Sequence, residues 1–186
     1  ENRTVICFFR HGQTDYNMSK KVQGWEPVPL NLEGKKQVIT AASALTYMPW
    51  DQIVTSDLLR AVETAQILSE RFGCPYVEDK NFRERNPGVL LSHSYSECAT
   101  AYPKLNMFTK VKGGEDLMAF VKRVKLGLWN MIHSLAGKNI LLVSHMEVLK
   151  ILCVTYGCRF ENWSNAGFVV LDHESGGAII QKQGVY

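Results

Sequence analysis

The chain has 186 residues, 46% of them hydrophobic and 21% charged, with a formal net charge of +3. That length and apolar content suit one core, and one domain over 1–186 is expected. The mild charge, with acids and bases interspersed, gives no argument for nucleic acid or a membrane surface as a partner.

No apolar run approaches the ~20 residues that span a bilayer, and Glu1 to Phe9 lacks the form of a signal peptide. Cys7, Cys74, Cys98, Cys153 and Cys158 include no CxxC pair and stand at no metal-ligand spacing from a histidine. They read as reduced core residues, so a cytoplasmic location is expected.

Thr4 to Phe9 is a short apolar run that stops at Arg10-His11-Gly12, which predicts a buried strand. Gln13 to Pro29 lacks periodicity and reads as loop. Asn31 can cap a helix to about Tyr47, with Val38, Ala41, Ala42 and Leu45 on one face. Gln52 to Thr55 predicts a second strand. Ser56 is the expected cap of the helix that follows and ends before Gly73. Pro75 to Val77 predicts a third strand.

From Asn81 to Gly114 the pattern weakens, with a modest helix near Tyr95 to Ala101; the stretch reads as an excursion off the main sheet, covering the active site. Leu117, Phe120, Val121, Val124, Leu128 and Met131 predict a long helix to about Leu135. Asn139 to Val143 predicts a strand ending in Ser144-His145, followed by a helix from Met146 to Tyr156. Two antiparallel strands are expected near Phe168–Asp172 and Gly177–Gln181. Strands alternating with helices predict an α/β fold, a mostly parallel sheet between two helix layers.

The reactive side chains fall where this architecture puts ligands. Arg10 and His11 follow one strand, His145 follows another, and Arg60 opens the helix after a third. Ligands of open α/β sheets bind outside the carboxyl ends of the strands. Two helices begin at that edge, and helix N-termini favour anions. Two guanidiniums, two imidazoles and two helix ends make a site for a compact dianion, and phosphate fits.

The residues from Phe8 through Arg10-His11-Gly12-Gln13-Thr14 to Asn17 carry a specific signature. It continues in Gln23-Gly24, Pro29-Leu30-Asn31, Gly34, Gln37, Ser56-Asp57-Leu58-Leu59-Arg60-Ala61, Thr64-Ala65, Phe82-Arg83-Glu84, Gly113-Gly114-Glu115 and Leu142-Val143-Ser144-His145. Ordered over nearly the whole chain, this set resembles the histidine phosphatase (phosphoglycerate mutase-like) superfamily.

The resemblance implies that superfamily's three-layer α/β/α sandwich and metal-independent phosphoryl transfer without a cofactor. His11 would be the nucleophile and form a phosphohistidine. Arg10, Arg60 and His145 would hold the equatorial oxygens of the phosphoryl group. His145 would do so as a cation or as a hydrogen-bond donor. Glu84 matches the general acid and base. Asn17, Gln23, Gly24 and Met146 would line the substrate site. The expected partner is a small-molecule phosphomonoester.

The sequence departs from the family pattern in two places. After the second histidine the family has glycine, often two, whereas Met146 and Glu147 stand here. A methionine would crowd the pocket; a carboxylate at 147 would repel an anionic substrate if it points inward, or otherwise favour the helix start. The stretch after Glu84 is Arg85-Asn86-Pro87-Gly88-Val89-Leu90 in place of a Phe-Gly and acidic-Gly pattern, with Glu78, Asp79 and Glu97 as alternative acids. Lys20 and Lys21 lie where the family often has an arginine.

Phosphomonoester hydrolysis is the leading expectation, since mutases of the family carry insertions and a tail that close over the intermediate. Phosphoglycerate mutase activity is the alternative. A member that binds a phosphorylated ligand or a protein without chemistry is the third reading.

Overall fold

The computed structural model describes residues 3–158 and 162–185; Glu1, where the segment weighed as a signal peptide begins, lies outside them. The first strand, β1 (Val5–Arg10), buries Ile6, Cys7, Phe8 and Phe9 completely. Both faces of a central strand are covered by helices in such folds, so the run is continuously apolar instead of alternating.

The other strands are β2 (Gln52–Thr55), β3 (Tyr76–Glu78), β4 (Asn139–Ser144), β5 (Trp163–Asp172) and β6 (Ala178–Val185). They form one sheet in the order β3-β2-β4-β1-β5-β6, parallel from β3 to β1 and antiparallel at β5 and β6.

The helices are α1 (Asp15–Met18), α2 (Leu32–Ser43), α3 (Leu59–Phe72), α4 (Tyr95–Ala101), α5 (Leu117–Ser134) and α6 (Met146–Thr155). Alternation along the strands sorts the core into two clusters. Cys7, Phe9, Leu141 and Val143 meet α2 and α3 through Val38, Ala41, Ala61, Ala65 and Leu68. Ile6, Phe8, Ile140 and Leu142 meet α5 and α6 through Phe120, Val124, Leu128, Val148 and Leu152. The result is the expected α/β/α sandwich. Among the described residues, no helix is long and apolar enough to cross a membrane.

Several elements differ from expectation, each for a local reason. The segment read as loop contains α1, started by a reciprocal capping box between Thr14 and Asn17. Helix α2 stops at Ser43, not Tyr47, because Ala44 N–H turns to Ala41 O and tightens the last turn.

Strand β5 starts at Trp163, well before Phe168. A register shift between Trp163 and Phe168, with Ala166 at φ +57°, breaks the alternation there. Strand β6 runs to Val185; it is a mostly exposed edge strand with little apolar pattern to reveal it. Ser56 is not the cap of α3: that position belongs to Leu58, which has no side-chain cap, although Ser56 Oγ accepts Leu58 N–H at 3.3 Å.

Residues 79–116 leave the sheet after β3 and return at α5. They pass through one-turn 3-10 helices at Lys80–Phe82 and Gly88–Leu90 and then α4. Phe82 is fully buried, and its carbonyl accepts from Ser144 Oγ at 2.8 Å, so the start of the excursion is tied to the end of β4.

Close backbone contact fixes the turn after β1. A Cβ on Gly12 would lie 2.5 Å from Gly34 O, and one on Gly34 would lie 2.1 Å from Gln13 O. Neither neighbour is a side chain that can swing away, so alanine must displace main chain. Gly34→Ala is expected to lower stability by roughly 1–3 kcal/mol, read as a lower urea midpoint at unchanged slope.

Candidate active site

Parallel pairing brings the strand ends together. Phe9 and Thr55 both lie opposite Val143. His11 N–H then donates to Ser144 O and Ser56 N–H to Val143 O. His11, Ser56 and His145 therefore leave three adjacent strands at one edge, and Arg60 on the first turn of α3 turns back over it. His11, Arg60 and His145 are buried to 3%, 1% and 0% exposure.

His11 Nδ1 lies 2.7 Å from the carbonyl oxygen of Gly12. A carbonyl can only accept, so Nδ1 carries the proton and Nε2 keeps its lone pair. Burial, then the charges of Arg60 and Arg10, hold the imidazole pKa well below its ordinary value. The ring is neutral at neutral pH and nucleophilic at Nε2.

The His145 ring centroid lies 5.2 Å from that of His11, and burial followed by the Arg60 charge lowers its pKa in the same way. Its Nε2 is 2.8 Å from Ser56 Oγ. His145 is fully buried beside His11.

Arg10 donates through Nη1 to the carbonyl of Trp163, and Arg60 through Nη2 to Gly24 O at 2.8 Å and Nη1 to Glu26 O at 3.3 Å. Burial lowers the pKa of both, Arg60 to about 10, with Glu84 opposing the shift. Among the described residues three buried side-chain nitrogens have no partner: Arg10 Nε, Arg60 Nε and His145 Nδ1. An unmet buried donor costs roughly 1–3 kcal/mol. Three of them near His11 leave donors free to meet the oxygens of a ligand.

Glu84 is half-buried on the wall of the same cavity. Its pKa is pushed up to about 7, by burial first and then by the Glu147 carboxylate; the N–H groups of Arg85 and Glu147 and the Arg60 charge oppose the rise. The Arg85 N–H donates to Glu84 Oε1 at 2.8 Å. The alternative acids are elsewhere: Asp79 caps the Lys80–Phe82 turn, Glu97 caps α4, and Glu78 is exposed on β3.

The cavity holds about 510 Å³, and Arg10, His11, Asn17, Gln23, Gly24, Arg60, Glu84, Met146 and Glu147 all line it. Asn17 Oδ1 accepts from Thr14 N–H at 3.1 Å and from Asn165 Nδ2 at 3.2 Å, so its amide NH2 is what it can offer a ligand. Glu147 stands in the first turn of α6 and also on the cavity wall. Lys20 and Lys21 are exposed and lie outside the lining.

The sequence did not single out the outer wall: Leu90, Tyr95, Leu105, Met107 and Val111 come from the excursion. It also missed Arg123 on α5. That guanidinium grips Glu115 through Nε (2.6 Å) and Nη2 (2.8 Å), and donates to the carbonyls of Asn81, Arg83 and Glu84 at 2.8, 2.8 and 3.0 Å. Trp25 Nε1 donates to Glu84 O as well, at 2.8 Å. Arg123 flanks the apolar face of its helix, and Glu115 lies eight residues earlier, before the helix begins, so no helical i,i+4 pattern announces the pair.

Comparisons with known proteins agree with this geometry. The family model "Histidine phosphatase superfamily (branch 1)" matches residues 6–185. The chain is 34% identical to "Uncharacterized phosphatase PhoE" of Bacillus subtilis, over 76% of this chain and 72% of that one. It is 31% identical to "Probable phosphoglycerate mutase GpmB" of Yersinia enterocolitica, over 81% and 73%.

A solved mycobacterial glucosyl-3-phosphoglycerate phosphatase, complexed with VO3, superposes with a TM-score of 0.81. It is 25% identical, with 90% of this chain and 92% of that chain covered. The chain belongs to the histidine phosphatase superfamily, branch 1.

Arg123→Ala leaves Glu115 unpaired and three carbonyls short of a donor. The expected loss is about 2–4 kcal/mol, near the range for breaking a buried ion pair. Arg123→Lys is expected to recover less than half of it, since an ammonium cannot span the same fork. Urea melts of the two variants check this.

Proposed function

We propose that this protein is a metal-independent phosphomonoester hydrolase that works through a phosphohistidine on His11. The observation that carries the reading is the ring of unpartnered buried nitrogens on Arg10, Arg60 and His145 around a neutral histidine with Nε2 free. In the first step Nε2 attacks phosphorus in line and the P–O ester bond breaks. Glu84, protonated below about pH 7, gives its proton to the departing oxygen. In the second step water attacks phosphorus, the N–P bond breaks, and the Glu84 carboxylate takes the proton of the water. Phosphate and neutral His11 are the products.

Arg10, Arg60 and Asn17 bind the non-bridging oxygens, where charge spreads in the transition state. His145 contributes as a neutral donor. With the Ser56 hydroxyl donating to Nε2, the ring proton sits on Nδ1, the nitrogen that has no protein partner. Gln23 and Gly24 shape the floor, and Gly24 O also holds Arg60 in place. The chain acts as one domain whose excursion at 81–114 encloses the leaving group, with a small phosphorylated molecule as substrate. A phosphatase relative and a relative complexed with VO3 support the reading. The mutase-named relative keeps intramolecular transfer as the second reading.

Phosphate release from p-nitrophenyl phosphate in the presence of EDTA is expected for the native chain, and a loss of at least about 10³-fold for His11→Ala. Isomerisation of 3-phosphoglycerate primed with the bisphosphate, without phosphate release, would establish the mutase instead. Silence in both assays would favour a binding protein.

The general acid also sets a pH signature. Glu84 must be protonated to act on a poor leaving group, so kcat/KM for an alkyl phosphate falls as pH rises past about 7, by up to about tenfold per unit. p-Nitrophenolate leaves without a proton, so its profile stays nearly flat there. The pKa of His11 is lowered, which places the acid limb below the ordinary histidine range. Glu84→Gln is expected to remove the alkaline limb and slow the alkyl ester by about 10²–10⁴-fold.

A further inference from the structure

Beyond the phosphate receptor the cavity changes character. Val22, Leu90, Leu105, Met107, Val111 and Met146 give it an apolar wall, four of them from the excursion. At about 510 Å³ it exceeds what a phosphoryl group fills, and pockets of this size bury drug-sized ligands against mainly apolar linings.

The charged groups on this outer wall are already engaged. Lys150 Nζ lies 2.6 Å from Glu147 Oε1, on the same helix. Arg85 gives Nε to Glu115 O at 3.1 Å and Nη1 to Met107 O at 2.7 Å. Glu115 is itself held by Arg123. A second phosphate or a carboxylate on the leaving group would compete with Glu147 for Lys150 and with two main-chain carbonyls for Arg85. It would also meet the Glu147 carboxylate on the cavity wall.

We propose that the site takes phosphomonoesters whose leaving group is bulky, apolar and free of a second anionic group, with Glu147 as the residue that rejects the second anion. This rests on the hydrolase reading above and names its substrate class. Glu147 is close enough to Glu84 for its charge to act on that carboxyl, so it faces the same side of the cavity from which the leaving group departs. Met146, next to it on the cavity wall, adds apolar surface there. The two neighbours thus act together, one by contact and one by charge.

The test compares ethyl phosphate, octyl phosphate and 3-phosphoglycerate, all with alkoxide leaving groups, using the native chain. Octyl phosphate is expected to exceed ethyl phosphate in kcat/KM by at least about tenfold, from buried methylenes, and 3-phosphoglycerate to fall below both. Glu147→Gln is expected to raise 3-phosphoglycerate relative to octyl phosphate by about tenfold, the scale of one like-charge contact. Glu84 serves all three esters, so any change in its proton affinity cancels in that ratio. A native preference for 3-phosphoglycerate, or a ratio unmoved by Glu147→Gln, overturns the proposal.

Titration calorimetry with octylphosphonate and 3-phosphonopropanoate reads the pocket without turnover. Tighter binding of octylphosphonate supports the proposal and tighter binding of 3-phosphonopropanoate overturns it. Turnover of none of the esters, with octylphosphonate still preferred, overturns the hydrolase reading and leaves the pocket chemistry standing. Turnover with the anionic ester preferred does the reverse.

Discussion

The structure depends on holding two guanidiniums in a nearly dry place without a dedicated carboxylate for either. Arg60 is 1% exposed and rests on backbone carbonyls from the Gly24–Glu26 turn, while Arg10 rests on the carbonyl of Trp163. Desolvating such ions costs several kcal/mol each, and neutral acceptors compensate only in part. The sheet supplies the rest: a well-packed α/β/α core can carry a locally unfavourable site because the core on either side is continuous. Burial first, and then the same field, lowers the pKa values of His11 and His145. Burial and positive charge together thus favour both an anion receptor and a neutral imidazole.

Its placement follows from register. The ends of β1, β4 and β2 coincide because Phe9 and Thr55 align with Val143, and the next residues of each strand carry His11, Ser56 and His145. A shift of one residue in any of these ladders would turn its catalytic side chain to the opposite face. The close approach of Gly12 to Gly34 pins the turn after β1 against the start of α2, where no side chain fits.

This inner region was legible in the sequence because it is written in local, ordered signals. An apolar strand stopping at Arg10-His11, another stopping at Ser144-His145, and Arg60 opening a helix specify the edge of a sheet and what stands on it. The outer region was not legible. Leu105, Met107 and Val111 belong to loops whose positions depend on distant anchors, above all Arg123, 39 residues from Glu84 along the chain. A side chain that organises three carbonyls of another segment leaves no periodicity. Ser56 illustrates a milder failure: its type suggested a helix cap, but its hydroxyl is within reach of His145 and the cap lies two residues on. Strand β5 was foreshortened because a bulge hides the pattern that would have announced its first half.

The region around Glu84 shows how the carboxyl proposed as general acid is kept in place by main-chain contacts. The position of Glu84 is set from the main chain outward: Trp25 and Arg123 both bind its carbonyl, and the N–H of Arg85 binds its carboxyl. None of these contacts depends on a Phe-Gly sequence following it. What the departure at 147 changes is the electrostatic setting of that carboxyl. A glycine there would leave burial alone to raise its pKa; the Glu147 carboxylate adds a second push in the same direction, while Lys150 tempers it from the next turn of α6. Glu147 would then both help Glu84 hold its proton near neutral pH and discriminate against anionic leaving groups.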